Sequence, residues 1–291
     1  MHILSIIIVT FSCADYLERC LRSVKDWLTG IDYQLIIVDN NSSDGTAEII
    51  KRFPEVVLIQ NNENRGFGAA CNQGIRQASG SHVLLLNADT VIQKGNVREL
   101  LGLLQNIPSI GIIGGQLKNS DGSIQPSTGR FPSVTSLVFD KLPVINRVLP
   151  VYFQRRAGYY QKEQWPDWVA GSFFMINREV INKIGLFDES YFMYMEDVDY
   201  CYRARQAGWQ VAYYPQAVIT HFDLGKSEGK RYNKAIYQRL GLMRFFGKFY
   251  RPNKLVQLKK ILRFELLLRK KLLSRSGLIE KYQKTLNATT P

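Results

Sequence analysis

At 291 residues with 45% hydrophobic side chains, the chain is long enough to bury one large core or two smaller ones, and it is typical of a soluble globular protein. Four cysteines without a Cys-x-x-Cys pair disfavour a disulfide framework and a zinc site, and predict reduced, buried thiols.

The net charge of +13 is confined to one end of the chain. Residues 225–291 hold 18 Lys and Arg against 3 Asp and Glu, whereas residues 1–224 hold 20 against 22. Nucleic acid is a weak candidate partner, since no recognised binding motif accompanies the charge.

Strand and helix patterns alternate along the N-terminal third of the chain. Strands are predicted at LSIIIVTF, YQLIIVD, VVLIQN and SHVLLLNAD, and helices at ADYLERCLRSVKDWL, TAEIIKRF and GFGAACNQGIRQA. The first apolar run is too short for a membrane span and lacks the basic leader of a signal peptide, so we interpret it as a core strand. A series of this kind requires right-handed crossovers, which predicts an α/β fold with a parallel sheet and helices on both faces.

The later elements are less regular. We predict a helix over residues 91–106, a strand over residues 110–117 and a long aperiodic connection over residues 118–167, of the kind that forms a lid or an acceptor pocket. A strand and a helix follow in DWVAGSFFMINREVINKIGLF, a helix in the second half of DESYFMYMEDVDYCYRARQAG, and a strand in WQVAYYPQAVITHF. The G-x-G-x-x-G fingerprint is missing after the first strand, which disfavours an oxidoreductase on a Rossmann sheet.

Residues suited to ligand binding follow three of the predicted strands, at the points where the strands end. They are Thr10 with Phe11, Asp39 with Asn40 and Asn41, and Asn87 with Asp89. Because the carboxyl ends of parallel strands meet at one edge of a sheet, the pattern predicts a site there for a ligand with a base, a sugar and a pyrophosphate. For Asp39 a helix cap or an Asx-turn is equally open, since capping and ligand binding can coexist.

A glycine-containing turn precedes the third predicted helix. In NENRGFGAACNQG, the guanidinium of Arg65 and the backbone amides near Gly66 and Gly68 are placed to face an anion such as a phosphate. The motif is unspecific on its own, and a purely structural turn is the favoured alternative.

An acidic cluster opens the helix in YFMYMEDVDYCYRARQAG. Glu196 and Asp197 directly follow the apolar FMYM, so at least one carboxylate is expected to be partly desolvated, as a general base needs to be. The helix macrodipole alone also favours carboxylates at this position. Asp199 and Arg203 are four residues apart on the same helix, which predicts an internal salt bridge.

A single histidine, His221, ends the last predicted strand. An imidazole at a strand end near a carboxylate is typical of a metal ligand. A structural role is the commoner one for a lone histidine, and the spacing leaves both roles open.

Taken in order, these segments resemble an inverting glycosyltransferase of family 2 with the GT-A fold, a mostly parallel Rossmann-like sheet flanked by helices. Within that family they resemble the rhamnosyltransferase-like branch. The resemblance extends over about residues 3–224 and is carried by IIIVTF, LIIVDNNSSDGT, NNENRGFGAACNQGI, HVLLLNADT, AGSFFMINREVINKIGLFDESYFMYMEDVDYCYRARQAG and VITHF. Each segment is common, whereas their order and spacing together are specific.

The resemblance implies a complete set of site residues. It places a nucleotide-sugar site at Thr10, Phe11, Asp39, Asn41, Arg65, Asn87 and Asp89, a catalytic pair at Glu196 and Asp197, an acceptor side at Trp168, Ala170 and Gly171, and a metal site for Mg²⁺ or Mn²⁺ at Asp89 and His221. In this scheme Asp39 reads the pyrimidine base and Asp197 is the catalytic base. Asn87 departs from the D-x-D pattern of the family, which leaves Asp89 as the one carboxylate of that motif and implies weaker metal affinity.

The resemblance also implies a reaction. We expect transfer of rhamnose from dTDP-rhamnose to a hydroxyl of a lipid-linked or polysaccharide acceptor in cell-surface glycan biosynthesis. UDP-galactose, UDP-glucose and UDP-N-acetylglucosamine are alternative donors. A catalytically silent nucleotide-sugar-binding or scaffold protein of a polysaccharide assembly complex is the alternative function, suggested by Asn87.

The basic segment 225–291 interleaves Lys and Arg with Leu, Ile and Phe, as in LKKILRFELLLRKKLL. Such a pattern is typical of an amphipathic helix on an anionic membrane surface. A helical pair packed on the catalytic domain of residues 1–224, with a solvated basic face, is the alternative. We therefore expect a cytoplasmic protein that is peripheral on the inner face of the cell membrane, either as a monomer or as a homodimer.

Overall fold

The computed structural model describes residues 2–139, 157–223, 230–269 and 283–287. The strands are β1 (Leu4–Thr10), β2 (Tyr33–Asp39), β3 (Val56–Gln60), β4 (His82–Asn87), β5 (Thr90–Lys94), β6 (Ile110–Lys118), β7 (Thr128–Gly129), β8 (Trp168–Val169), β9 (Phe173–Asn177) and β10 (Gln210–His221). The helices are α1 (Ala14–Trp27), α2 (Thr46–Ile50), α3 (Phe67–Gln77), α4 (Val97–Asn106), α5 (Val134–Phe139), α6 (Arg178–Ile184), α7 (Glu196–Gln206), α8 (Lys230–Phe249) and α9 (Pro252–Arg269).

Eight strands form one sheet in the order β3-β2-β1-β4-β9-β6-β10-β5. Neighbours among β1, β2, β3 and β4 are parallel, and so are β6 and β10. Strand β9 runs antiparallel to both β4 and β6, and the edge strand β5 runs antiparallel to β10. The mostly parallel α/β sheet predicted from the sequence is therefore confirmed, with two reversed strands.

Helices cover both faces of the sheet because the central strands are apolar on both sides. Ile6 and Ile8 of β1 pack into the cluster that contains α1, α2 and α4, whereas Ile7 packs into the cluster that contains α3, α6 and α7. This alternation follows from the two-residue period of a strand. All four cysteines lie in the interior as thiols rather than as disulfides.

The predicted helix over residues 91–106 is wrong in its first part. Residues Thr90–Lys94 form β5, in which Thr90 pairs with His221 of β10. The β-branched side chains of TVI favour a strand, and Gly95 at φ 129° separates it from the helix. Helix α4 then begins at Val97, because the Asn96 side chain caps it by accepting a 3.0 Å hydrogen bond from the Arg98 amide.

Helices α8 and α9 pack on the main body of the protein. Phe245, Phe246 and Leu258 are fully buried and belong to the same apolar cluster as α7. The 224/225 domain boundary and residues 270–282 of the predicted basic tail lie outside the described residues. Across the ranges that are described, no helix is both long and apolar enough to cross a membrane.

Candidate active site

The carboxyl ends of β1, β2 and β4 lie side by side. In the sheet register Thr10 pairs with Asp39, and Val9 pairs with Asn87. The strand-end residues predicted from the sequence therefore share one edge of the sheet, where α/β proteins bind ligands. Phe11 lies just beyond β1, and its side chain is exposed to solvent.

Asp39 is buried and shapes the turn after β2. Its Oδ1 accepts hydrogen bonds from the amide of Ser42 at 3.0 Å and from the Ser42 hydroxyl at 2.5 Å. The Asx-turn expected as an alternative role of Asp39 is thus present.

Thr10, which pairs with Asp39 in the sheet, has a buried hydroxyl without a hydrogen-bond partner. A buried polar atom of this kind calls for a ligand or a water, since its desolvation is otherwise uncompensated.

Two neighbouring asparagines at this edge differ in role. Asn41 is exposed and has a left-handed backbone, with φ 69°. Asn40 is buried, donates to the carbonyl of Gly66 at 3.2 Å and accepts from Asn61 at 2.9 Å. Asn40 is therefore the one that ties β2 to the start of α3.

In the turn before α3, the backbone amides of Gly66 and Phe67 donate hydrogen bonds to oxygens of the protein itself. The Gly66 amide donates to Asn64 Oδ1 at 3.0 Å, and the Phe67 amide donates to the carbonyl of Phe192 at 2.9 Å. These contacts support the structural alternative for the glycine turn. Arg65 remains an exposed guanidinium at the same place.

Asp89 and His221 face each other at the ends of β4 and β10. Asp89 Oδ1 lies 3.3 Å from His221 Nε2, and both side chains are almost buried. His221 Nδ1 lies 2.6 Å from Gln125 Oε1, an atom that can only accept, so Nδ1 carries the proton. The other ring nitrogen, Nε2, therefore faces Asp89. A carboxylate and an imidazole nitrogen that face each other are suited to hold a cation, and a hydrogen bond from the second imidazole nitrogen is typical of metal-binding histidines.

The side-chain amide of Asn87 lies beside this pair. Its Nδ2 donates to the Ser172 hydroxyl at 3.2 Å and lies 3.2 Å from His221 Nε2, while its Oδ1 is buried without a hydrogen-bond partner. Within the residues that the structure describes, no group of three His, Cys, Asp and Glu side chains suits a metal ion. Mg²⁺ and Mn²⁺ often need only one or two protein carboxylates together with substrate phosphates. The residues present therefore fit a hard divalent cation completed by a diphosphate.

Asp197 lies in the first turn of α7, where backbone amides hold its carboxylate. Its Oδ2 accepts from the Gly171 amide at 3.0 Å, and its Oδ1 accepts from the Val198 amide at 2.8 Å. Burial raises the pKa of Asp197, although these hydrogen bonds act in the opposite direction. A desolvated carboxylate with a raised pKa has the property required of a general base near neutral pH.

Glu196, the chain neighbour of this base, is buried. It is 4% exposed, its Oε2 has no hydrogen-bond partner, and its β-carbon lies near Gly68 of α3. Burial raises the pKa of Glu196 well above its ordinary value, and the charge of Asp197 raises it further. Burial therefore favours the protonated form of Glu196, which lies in the wall of the site.

The acceptor-side residues predicted from the sequence have different positions. A β-carbon on Gly171 would lie 3.2 Å from the ring of Phe67 and 3.7 Å from the β-carbon of Asp197, so this glycine faces the base. Ala170 is half-buried and donates to the carbonyl of Ser127 at 2.8 Å. Trp168 is 2% exposed and donates its indole N–H to the carbonyl of Arg130, which argues against its predicted place on the acceptor side.

Tyr194 lies in the turn before α7, and its ring faces Lys234, which pairs with Asp223. Burial raises the pKa of Tyr194, and the carboxylates of Asp223, Glu196, Asp89 and Asp197 raise it further. The two parts of the site are joined by residues 171 and 172, because Gly171 binds Asp197 and Ser172 binds Asn87.

Three residues of this site escaped the sequence analysis. Gln125 lies in an aperiodic connection that carries no local signal. Ser172 adjoins the predicted Ala170–Gly171 segment, so its proximity to Asn87 required the β4–β9 pairing. Tyr194 lies two residues before the acidic pair, and its left-handed φ of 66° is visible in the structure but not in the sequence.

The family model for glycosyl transferase family 2 matches residues 5–201. The N-acetylglucosaminyl-diphospho-decaprenol L-rhamnosyltransferase of Mycobacterium tuberculosis is 31% identical, over 75% of this chain and 76% of that protein. A low-salt glycan biosynthesis hexosyltransferase of Haloferax volcanii is 28% identical over 70% of this chain and 62% of its own length.

Solved structures with a similar fold are glycosyltransferases and related proteins of low sequence identity. A mannosyltransferase from Pyrobaculum calidifontis, in complex with GDP-Man and Mn²⁺, matches with a TM-score of 0.57 at 15% identity, over 98% of this chain and 79% of its own. Residues 1–349 of TarS from S. aureus, in complex with UDP, match with a TM-score of 0.53 at 16% identity, over 94% and 76%. These likenesses support the GT-A fold. Together with the family match and the rhamnosyltransferase relative, they show that the chain belongs to glycosyltransferase family 2 and has the GT-A fold.

Proposed function

We propose that this chain is an inverting glycosyltransferase that moves a sugar from a nucleotide-sugar donor to a hydroxyl of a lipid-linked or polysaccharide acceptor. The observation that carries the proposal is the position of residues 170–172. The Gly171 amide binds the carboxylate of Asp197, and the carbonyl of Ser172 accepts from the amide of Asn87 at 3.2 Å. The proposed base and the strand end beside Asp89 are therefore held by one short segment.

The proposed chemistry is a single displacement. Asp197 takes the proton of the acceptor hydroxyl as the oxygen attacks the anomeric carbon from the face opposite the leaving diphosphate, so the configuration inverts. The amides of Gly171 and Val198 orient the carboxylate for that transfer. General-base assistance of this kind contributes about 10²-fold to 10⁴-fold to rate.

The leaving group lies on the Asp89 side in this proposal. Asp89 and His221 would hold Mg²⁺ or Mn²⁺, and Asn87 Oδ1 would be a further donor. When bound, the cation neutralises the charge that develops on the departing nucleoside diphosphate. Asp39 and Thr10 accommodate the base of the nucleotide, for which the unpartnered hydroxyl of Thr10 is available.

The proposed donor is dTDP-rhamnose, because the Mycobacterium tuberculosis relative is a rhamnosyltransferase. The proposed acceptor is a sugar linked through diphosphate to a polyprenol, also on the name of that relative. The silent-scaffold alternative rests on Asn87 alone, whereas the amide-held base and the Asp89–His221 pair favour an enzyme.

The outer face of α9 supports a peripheral place on the inner face of the cell membrane. Val256, Lys260 and Phe264 are four residues apart on this helix and exposed, and Phe264 is 65% exposed. A face that combines apolar and cationic side chains suits anionic lipid headgroups.

Vesicle binding tests this membrane placement. We expect Lys260→Glu with Phe264→Ser to lower co-sedimentation with phosphatidylglycerol vesicles, while the exposed Lys51→Glu, which changes charge equally, leaves it unchanged. Equal binding of the two variants would refute the α9 surface.

A donor panel tests the proposed reaction. Melting temperature is measured with dTDP-rhamnose, UDP-glucose, UDP-galactose and UDP-N-acetylglucosamine, each with and without Mn²⁺, because a ligand that binds the native state raises it by mass action. Transfer to a polyprenyl-diphosphate-linked N-acetylglucosamine is then measured with each donor. We expect Mn²⁺-dependent stabilisation and transfer with dTDP-rhamnose. Stabilisation without transfer by any donor would support the scaffold alternative.

A further inference from the structure

The turn that leads into the base has an unusual backbone. Tyr194 and Met195, directly before Glu196, have φ values of 66° and 77°. Neither is glycine, and consecutive left-handed residues with side chains are disfavoured unless neighbouring structure holds them. Met195 also forms the N-cap of α7, which carries Asp197. The conformation of this turn therefore sets the position of the base.

Helix α8 packs against this turn through a glycine. A β-carbon on Gly241 would lie 2.7 Å from Cγ of Met195 and 2.9 Å from the carbonyl oxygen of Tyr194. Real β-carbons do not approach other atoms this closely, so only glycine permits the observed approach of the two backbones. The helix thus lies directly on the strained residues.

Two side chains of α8, both on the N-terminal side of Gly241, add further contacts. The ring of Tyr237 stacks on Phe192 with centroids 5.0 Å apart. Lys234 Nζ lies 3.0 Å from Asp223 Oδ2 and 5.5 Å from the centre of the Tyr194 ring. Because Asp223 follows His221 by two residues, Lys234 connects the metal side of the site with the turn on the base side.

We propose that α8 is a positioning element of the active site, in which Gly241 and Lys234 hold the Tyr194–Met195 turn so that Asp197 meets the acceptor hydroxyl. The inference rests on the proposed role of Asp197 as base. It concerns residues beyond the 5–201 range that the family model matches. It gives the C-terminal basic segment a role in catalysis that is separate from membrane binding.

Two glycines of the same helix provide a matched test. Gly241→Ala forces a β-carbon against the turn, whereas a β-carbon at Gly247 would lie 3.6 Å from Leu255, an ordinary contact. Both substitutions raise helix propensity equally. We expect Gly247→Ala to keep wild-type kcat, and Gly241→Ala to lower kcat by at least about tenfold while the donor KM changes by less than about threefold. Equal kcat values in the two variants would overturn the proposal.

Hydrogen exchange of residues 192–198 provides a readout that needs no activity. We expect the amides of this segment to exchange at least about tenfold faster in Gly241→Ala than in Gly247→Ala. If the wild-type protein transfers no sugar, the proposed function is refuted. The comparison of hydrogen exchange between Gly241→Ala and Gly247→Ala would still test the contact of α8 with the Tyr194–Met195 turn. Unchanged exchange with wild-type transfer in Gly241→Ala would refute the positioning role alone.

Lys234 gives a second route if Gly241→Ala fails to fold. We expect Lys234→Ala to lower kcat at unchanged donor KM, and Lys234→Arg to restore most of it, because Arg keeps the cation near Asp223 and the Tyr194 ring. The exposed Lys183→Ala on α6 is the control for loss of one lysine. Wild-type kcat in Lys234→Ala, or no recovery in Lys234→Arg, would count against the proposal.

Discussion

The backbone amide of Gly171 donates a 3.0 Å hydrogen bond to Oδ2 of Asp197. The next residue along the chain, Ser172, accepts from the amide of Asn87 through its carbonyl and from the Asn87 side chain through its hydroxyl. One short segment therefore fixes the proposed base relative to the end of β4. A β-carbon on its central residue, Gly171, would lie 3.2 Å from the ring of Phe67, a tight contact that requires a small shift of the ring.

Glu196→Gln is expected to stabilise the protein at neutral pH. Burial holds the pKa of Glu196 well above its ordinary value of 4.5, so the folded state keeps a proton that the unfolded chain releases as the pH rises past that value. The free energy of unfolding therefore falls with rising pH from that point until the folded pKa is passed. Glutamine has no such dependence. The melting temperature of Glu196→Gln should exceed that of wild type at pH 7, by a margin that shrinks toward pH 4.

The comparison of pH 4 with pH 7 controls for any change in packing, since a change in packing alters the melting temperature equally at both pH values. A margin that is the same at pH 4 and pH 7 would mean that Glu196 is ionised in the folded protein.

Gln125→Leu is expected to weaken metal-dependent donor binding. Gln125 Oε1 fixes the proton on His221 Nδ1, and loss of such a partner costs about 10-fold to 100-fold in metal affinity. The Mn²⁺ concentration that gives half-maximal stabilisation with UDP or dTDP measures the effect. Gln116→Leu is the matched control, because Gln116 is a half-buried glutamine that contacts Tyr160 instead. Equal Mn²⁺ requirements in the two variants would exclude His221 as a ligand.

Asn87→Asp is expected to tighten Mn²⁺ binding. The new carboxylate lies beside Asp89 and His221, and affinity for hard cations rises with the number of charged ligands. Without metal the two carboxylates repel each other, so the melting temperature should fall. Titration of Mn²⁺ followed by calorimetry measures both effects. Unchanged affinity would mean that Asp89 serves only the turn after β4.

The order of strands and helices could be predicted from the sequence because each central strand is a β-branched or leucine run bounded by a polar turn. The predicted edge of strand ends is confirmed, since register follows from that apolar pattern. Strand β5 was missed because its partner, β10, lies more than a hundred residues away, and only that pairing distinguishes it from the start of a helix. The predicted Asp199–Arg203 salt bridge is confirmed at 2.7 Å, because both residues belong to one helix.

The supporting contacts of the site could not be predicted in this way. Gln125 reaches His221 from an aperiodic loop, and α8 reaches the Tyr194–Met195 turn across the surface of the main body. Both contacts depend on how distant segments pack together. Asp197 could be singled out as a candidate base from the sequence, since a carboxylate directly after an apolar run is unusual. The Gly171 amide that orients this carboxylate has no recognisable pattern in the sequence.

The substitution Asp197→Asn tests the central claim most directly. Asparagine keeps the size of the side chain but cannot take a proton from the acceptor, so kcat for sugar transfer should fall by at least about 10²-fold. Stabilisation by Mn²⁺ with the nucleoside diphosphate of the active donor should stay within about 1 °C of wild type, since the donor side is untouched. Transfer that persists within about tenfold of the wild-type rate would contradict Asp197 as the catalytic base.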